Sequence, residues 1–193
     1  RTGAGSLAAR SGCGKGARSG GESVSFERLG VIGGGAWGTA LAQVGASSGR
    51  DVLLWAREPE VVEAVNGGHE NTTFLRGHQL DRAIRATGEL SDLDGCDAWL
   101  VVTPAQHMRS VLEAAPRCDK PLILCSKGIE ERSGSLLHHA AAEACPGAAI
   151  AVLSGPTFAH EVAAGLPTAV TLAAEDQSLA ERLRDRVVGD IHA

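Results

Sequence analysis

Short apolar segments alternate with Ala-rich helical segments along most of the chain. The apolar runs have the length of strands, and the stretches between them have helical periodicity. The runs are 29–33, 52–55, 98–102, 122–125, 150–153 and 169–172, and the predicted helices are 37–48, 58–66, 106–115, 133–144, 158–164 and 176–188. This order is typical of parallel strands joined by crossover helices, so the sequence predicts a doubly wound α/β sheet. Ligands of such sheets bind at the carboxyl ends of the strands.

Composition excludes several classes of protein. Lys and Arg number 18 against 23 Asp and Glu, and the net charge of −5 argues against nucleic acid as a partner. No apolar run approaches the ~20 residues of a spanning helix, so we expect no membrane span. The five cysteines are scattered and contain no C-x-x-C pair, and we interpret them as reduced thiols in a cytoplasmic protein. They are Cys13, Cys96, Cys118, Cys125 and Cys145.

The first 25 residues differ from the rest. Residues 1–21 are basic, rich in Gly and Ser and free of acidic residues. We interpret 1–25 as a disordered leader, with an organellar transit peptide or mistranslated upstream sequence as alternatives. Residues 26–193 are assigned to a single domain. Because the chain begins with Arg1 rather than Met, we expect it to start inside a longer reading frame.

A glycine motif follows the first predicted strand. Residues 33–38 read Gly-Gly-Gly-Ala-Trp-Gly and satisfy G-x-G-x-x-G at the opening of an Ala-rich helix. Gly33 would allow the tight turn, Gly35 the approach of a pyrophosphate, and Gly38 close packing of helix on strand. Phosphates would meet the free N–H groups of the helix N-terminus. The motif predicts Rossmann-type dinucleotide binding, with a purely structural turn as the alternative.

Arg57 and Glu58 follow the second predicted strand. A site for NAD places an acid near this point, whereas a guanidinium suits the 2′-phosphate of NADP. We therefore expect NADP to be accepted, and the cofactor to be NAD or NADP. The alternative is a solvated Arg at the start of a helix.

Two later motifs also follow predicted strands. Cys-Ser-Lys-Gly-Ile-Glu at 125–130 places the ammonium of Lys127 where it could reach a phosphate or a carbonyl oxygen. Ser-Gly-Pro-Thr at 154–157 combines a turn at Gly155 with Thr157, which fits either a helix N-cap or a cradle for an anion. A surface lysine and a plain cap are the alternatives.

Metal binding is not predicted. His160-Glu161 begins the pattern H-E-x-x-H, but Ala164 stands where the second His is required. His138 and His139 are neighbours on a predicted helix and point to different faces. We assign no metal site.

Four segments together resemble the NAD(P)-dependent glycerol-3-phosphate dehydrogenases of bacterial type. They are GGGAWGTALA at 33–42, LLWAR at 53–57, CSKGIE at 125–130 and SGPTFAHEVAAGLPTAVT at 154–171. The resemblance implies the Rossmann-type cofactor domain of a two-domain dehydrogenase. It also implies reduction of dihydroxyacetone phosphate to sn-glycerol 3-phosphate, for glycerophospholipid synthesis, with NADH or NADPH. The partner would be this small phosphate substrate. The resemblance leaves open whether the chain forms a homodimer.

The resemblance also implies roles for single residues. Ala36, Trp37 and Arg57 would contact the cofactor, Ala159 would lie near the nicotinamide, and Lys127 would contact cofactor and substrate. Gly155 and Thr157 would line the substrate site.

The sequence departs from the family pattern in three places. Arg76 stands at a usual Pro and Thr103 at a usual Val, and we expect neither to touch the chemistry. The family's proton-transferring lysine belongs to a helical domain expected beyond Ala193, so we expect no catalytic residue in this chain and no turnover by it alone. A related hydroxyacid- or ketopantoate-type reductase and a non-catalytic cofactor-binding module are the alternatives.

Overall fold

The computed structural model describes residues 26–115 and 118–187. The segment 1–25, interpreted as a leader, and Cys13 lie outside the described residues. The strands are β1 (Arg28–Ile32), β2 (Asp51–Trp55), β3 (Ile84–Thr87), β4 (Ala98–Val101), β5 (Leu122–Leu124), β6 (Ile150–Ser154) and β7 (Thr171–Ala174). The helices are α1 (Ala36–Ser47), α2 (Pro59–Gly68), α3 (Ala105–Ala114), α4 (Leu137–Ala144), α5 (Ala159–Ala163) and α6 (Gln177–Val187), with a 3₁₀ helix at Leu90–Gly95.

The strands form one sheet in the order β3-β2-β1-β4-β5-β6-β7. From β1 the chain builds outward through β2 and β3, then crosses to the other side of β1 and builds outward again from β4. The carboxyl ends of β1 and β4 therefore flank the point where the winding direction reverses, which is where such sheets bind ligands. The predicted doubly wound α/β sheet is confirmed.

Two strands differ from the prediction. β3 was not predicted, because this edge strand is only four residues long and its buried residues are interrupted by exposed Arg85. β7 was expected to be parallel like the others, but it pairs antiparallel to β6, with Leu153 opposite Leu172. The apolar pattern of a strand carries no information about the direction of its partner.

Helices cover both faces of the sheet. On one face, α1, α2 and α6 contribute buried residues such as Leu41, Val61 and Leu183 to the core. On the other, α3 and α4 contribute residues such as Met108 and Leu137. Strands covered on both sides have no polar face, so they read as continuous apolar runs in the sequence.

The cysteines do not all remain thiols. Cys118 and Cys145 form a disulfide, with their Cα atoms 5.2 Å apart, so the expectation of five reduced thiols is wrong for this pair. Cys118 lies after α3 and Cys145 caps α4, and the packing of these helices against each other brings the two residues together. Cys96 and Cys125 are free and buried. Burial raises the pKa of Cys96 to about 11 and also raises that of Cys125.

Within the described ranges, none of the helices combines the length and the apolar character that crossing a bilayer requires.

Candidate functional site

A cavity of about 750 Å³ lies at the carboxyl ends of β1, β2, β4, β5 and β6. Nine of the ten predicted site residues line this cavity. The tenth, Gly155, adjoins it, because its carbonyl oxygen accepts a hydrogen bond of 3.0 Å from Nζ of Lys127. The lining residues are Gly33, Gly34, Gly35, Ala36, Trp37, Gly38, Trp55, Arg57, Glu58, Phe74, Val102, Thr103, Pro104, His107, Val111, Cys125, Ser126, Lys127, Thr157, Phe158 and Ala159.

The three motif glycines are required for different reasons. Gly33 has φ +128°, a conformation that side chains rarely adopt. A Cβ on Gly38 would lie 1.9 Å from the carbonyl oxygen of Gly33, so only glycine lets α1 start this close to the turn. A Cβ on Gly35 would meet no atom within 4 Å. Since Gly35 borders the cavity, the space that its missing side chain leaves open is space for a ligand, and this fits the pyrophosphate of a dinucleotide.

The start of α1 is left free to bind an anion. Gly35 is the N-cap of α1 and provides no side-chain cap, so the first N–H groups of the helix lack that partner. The neighbouring carbonyl groups are occupied instead: buried Asn71 donates from Nδ2 to the oxygen of Gly34 at 2.8 Å, and buried Thr39 donates from Oγ1 to the oxygen of Gly35 at 2.9 Å. The turn therefore presents donors to the cavity and turns its acceptors inward.

Asn71 holds this arrangement together, and the sequence analysis did not identify it as a functional residue. Besides Gly34, its amide donates to Oγ1 of Thr39 at 2.8 Å, and its Oδ1 accepts from the N–H of Phe74 at 3.0 Å. One fully buried amide thus joins the glycine turn to the segment that carries Phe74 into the cavity wall. Its burial next to a backbone turn 37 residues away is a tertiary feature without a local motif.

Arg57 and Glu58 lie together at the rim of the cavity after β2. The Arg57 side chain is 78% exposed, and its Nε lies 3.9 Å from Oε1 of Glu58. This loose, solvent-exposed pair contributes little to stability, so Arg57 can reorient toward a ligand. The structure offers both an acid and a guanidinium at the position where sites for NAD and NADP differ.

Lys127 and Thr157 face the cavity from the ends of β5 and β6. No carboxylate of the described residues lies within ion-pair distance of Lys127, whose ammonium donates to the carbonyl of Gly155 instead. Thr157 is not a helix cap: α5 starts at Ala159, its N-cap is Phe158, and it has no side-chain cap. The plain-cap alternative for Thr157 is therefore wrong, and the residue lies half-buried in the cavity wall.

The two departures from the family pattern lie in different places. Arg76 is outside the lining, and its Nε donates to the carbonyl of Thr72. Thr103, which we expected away from the chemistry, lies in the cavity wall, 5% exposed, and its hydroxyl has no partner in the described part of the chain.

Two phenylalanine side chains of the cavity wall were not predicted. Phe74 and Phe158 line the cavity and are 43% and 64% exposed. Large exposed apolar side chains beside a cavity are a common mark of a binding surface. A signal was available for Phe158, which lies in the segment 154–171 that carries the family resemblance.

Among residues 26–115 and 118–187, no three His, Cys, Asp or Glu side chains approach closely enough to hold a metal ion.

Comparison with known proteins identifies the family. Residues 28–180 match the sequence model of the family described as NAD-dependent glycerol-3-phosphate dehydrogenase N-terminus. The chain belongs to this family. The resemblance predicted from the four sequence segments is thereby confirmed.

Individual members of the glycerol-3-phosphate dehydrogenase family align over most of the chain. Glycerol-3-phosphate dehydrogenase [NAD(P)+] of Erythrobacter litoralis is 61% identical over 156 residues, which are 81% of this chain and 47% of the relative. That of Parvibaculum lavamentivorans is 59% identical over 163 residues, 83% of this chain and 49% of the relative. The chain thus spans about half the length of the curated relatives it matches.

A crystal structure of glycerol-3-phosphate dehydrogenase from Coxiella burnetii is similar in fold. Its TM-score is 0.78 at 31% sequence identity, covering 85% of this chain and 51% of that one. The similarity in structure therefore covers a similar share of the known protein as the similarity in sequence, about half.

Proposed function

We propose that this chain is the cofactor-binding part of an NAD(P)-dependent glycerol-3-phosphate dehydrogenase, an enzyme that interconverts dihydroxyacetone phosphate and sn-glycerol 3-phosphate for glycerophospholipid synthesis. The observation that carries the proposal is the open space at Gly35, at the start of α1 and inside the cavity at the sheet's reversal point. Membership of the family described as NAD-dependent glycerol-3-phosphate dehydrogenase N-terminus supports the proposed reaction and substrate.

The glycine motif and the residues after β2 would bind the pyrophosphate and the adenosine part of the cofactor. The N–H groups at Gly35 to Gly38 would hold the pyrophosphate, with Ala36 and Trp37 beside it. Arg57 would lie near the adenosine ribose and accept the 2′-phosphate of NADP, while Glu58 offers an acceptor for the 2′-hydroxyl of NAD.

The nicotinamide end would lie toward Ala159, near Lys127 and Thr157. When bound, the nicotinamide supplies the hydride that reduces the carbonyl carbon. The Lys127 ammonium would contact cofactor and substrate and offset the negative charge of the phosphate or of the developing alkoxide. The Thr157 hydroxyl would bind the substrate, and the Gly155 carbonyl would keep Lys127 oriented.

Proton transfer to the substrate oxygen is assigned to a lysine of the whole enzyme, acting as general acid. We therefore propose that this chain binds cofactor but does not turn over substrate. Assembly as a homodimer and a cytoplasmic location are further parts of the proposal.

The test is titration of the chain with NADH and with NADPH, followed by nicotinamide fluorescence, together with an assay for reduction of dihydroxyacetone phosphate. Cofactor binding without turnover is the expected result. Failure of both cofactors to bind would refute the proposal, and turnover would show that a residue of this chain transfers the proton. In the whole protein, Lys127→Ala should abolish most turnover, whereas near-normal kinetics would return Lys127 to a surface lysine.

A further inference from the structure

Lys127 lies in an irregular segment that is nevertheless held at several points. Residues 125–136 connect β5 to α4, and their one bridge pairs Ile129 with Leu136. Just before the lysine, the hydroxyl of Ser126 donates to the carbonyl of Thr103 after β4. After it, Gly128 has φ +129°, and a Cβ there would lie 3.4 Å from Cβ of Ala105, the first residue of α3. The segment therefore passes close over the start of α3.

Gln106, in the first turn of α3, binds this segment at two points. Its Nε2 donates to the carbonyl of Ile129 at 3.0 Å, and its Oε1 accepts from the N–H of Glu131 at 2.9 Å. The side-chain amide thus pairs with the backbone as a neighbouring strand would. Because Gln106 is exposed, these contacts are not a by-product of core packing.

Arg109, one helical turn further on, binds the same segment more strongly. Its Nε and Nη2 donate to the two carboxylate oxygens of Glu130 at 2.8 and 2.9 Å, a bidentate pair. Glu130 is 6% exposed, and its carboxylate also accepts from the hydroxyl of Ser133. On its other side Arg109 pairs with Glu143 at 2.8 Å, but that carboxylate is 62% exposed. Of the two ion pairs of Arg109, the one with Glu130 is thus the pair that is shielded from solvent.

The same helix forms part of the cavity. His107 and Val111 of α3, and Pro104 just before it, line the cavity, while Gln106 and Arg109 project to the segment that carries Lys127. Helix α3 therefore forms one wall of the cavity and also holds the neighbouring segment that carries Lys127. Side chains that contact a ligand need supporting residues that keep their geometry.

We infer that Gln106 and Arg109 are positioning residues for Lys127: they fix the backbone after β5 so that the ammonium reaches the carbonyl of Gly155 and the cavity, without touching a ligand themselves. This rests on the proposed function, in which Lys127 contacts the cofactor. An effect that passes through Lys127 must disappear when its ammonium is removed.

The experiment is a set of double-mutant cycles on the 193-residue chain, with NADH affinity as the readout. Gln106→Ala should weaken NADH binding about fivefold, the lower end of usual couplings between linked groups. In a Lys127→Ala background the same change should have an effect within about twofold. Arg109→Lys, which keeps the charge, should lose less affinity than Arg109→Ala. Glu143→Gln is the matched control, because it removes only the exposed pair, and it should leave the affinity unchanged.

A second measurement needs no cofactor. Backbone ¹⁵N relaxation at Lys127 and Gly128 should show order parameters falling from about 0.85 to below about 0.6 in Gln106→Ala, and no change in Glu143→Gln. Equal losses of affinity with and without the Lys127 ammonium would overturn the inference. If the unsubstituted chain binds neither NADH nor NADPH, the proposed function fails. The inference is then tested by the order parameters of Lys127 and Gly128 alone, and unchanged values in Gln106→Ala overturn it. Gln106→Ala keeps the test valid if Arg109→Ala does not fold.

Discussion

Substitutions at Gly35 and Gly38 should separate cofactor binding from stability. A Cβ at Gly38 would lie 1.9 Å from the carbonyl oxygen of Gly33, whereas ordinary contact begins near 3.4 Å. The obstacle is backbone, so it cannot rotate away. Overpacking of this kind costs up to about 3 kcal/mol, and alanine's better helix propensity returns at most about 1, so Gly38→Ala should lose about 2 kcal/mol. For a domain of this size that corresponds to a melting temperature lower by roughly 4–8 °C.

Gly35→Val should have the opposite effect: it should lower cofactor affinity and leave stability almost unchanged. Gly35 has φ −69° and ψ 178°, an extended conformation that any residue adopts, and a Cβ there meets no atom within 4 Å. The cost to stability should therefore stay below about 1 kcal/mol, the difference in N-cap preference. The added side chain projects into the space for the pyrophosphate, so cofactor affinity should fall at least tenfold, or about 1.4 kcal/mol.

Thermal denaturation followed by circular dichroism measures the first effect, and titration with NADH followed by fluorescence measures the second. Gly67→Ala in α2 is the matched control, because a Cβ there also meets nothing within 4 Å and lies away from the cavity. It should keep full cofactor affinity and gain up to about 1 kcal/mol. Unchanged affinity in Gly35→Val would refute the pyrophosphate site, and unchanged melting in Gly38→Ala would refute the packing argument.

Three further predictions concern charge and the disulfide. Arg57→Asp should weaken NADPH binding much more than NADH binding in parallel titrations; equal losses would remove Arg57 from the 2′-phosphate. The Arg109 guanidinium lowers the pKa of Glu130 to about 2, from an ordinary value near 4.5. The stability from this pair is therefore present above about pH 4.5 and is lost as the pH falls toward 2. Glu130→Gln should flatten that part of a urea-denaturation series against pH, and an unchanged slope would contradict the assignment. Reduction of the Cys118–Cys145 disulfide should cost about 3.5 kcal/mol, as expected for a loop of this length. Cys118→Ala should have the same cost and become insensitive to dithiothreitol, and a further loss on reduction would point to another redox site.

The central strands could be predicted because burial on both faces leaves a continuous apolar run. Val31, Leu100 and Ile123 face one side of the sheet, while Ile32, Trp99 and Leu124 face the other. β3 does not show this pattern, since an edge strand pairs on one side only and Arg85 faces solvent. The direction of β7 depends on the path of the chain from 155 to 170, which the composition of the strand does not encode.

The candidate site divides in a similar way. Gly33, Gly35 and Lys127 could be found because each lies within three residues of the end of a strand, and strand order alone places them at one edge of the sheet. The disulfide could not be found, because its cysteines are 27 residues apart and meet only through the packing of α3 on α4.

The residues that sequence reasoning missed hold the site rather than face its ligand. Asn71 reaches a glycine turn 37 residues away, and Gln106 and Arg109 reach a segment 21 to 25 residues further along the chain. Each satisfies polar groups whose position depends on the complete fold, so neither spacing nor residue type distinguishes it from an ordinary surface or loop residue. A motif specifies which groups contact a ligand. The exact position of those groups depends on hydrogen bonds that exist only after folding. Substitutions at these supporting residues should therefore alter affinity by displacing groups that themselves remain intact.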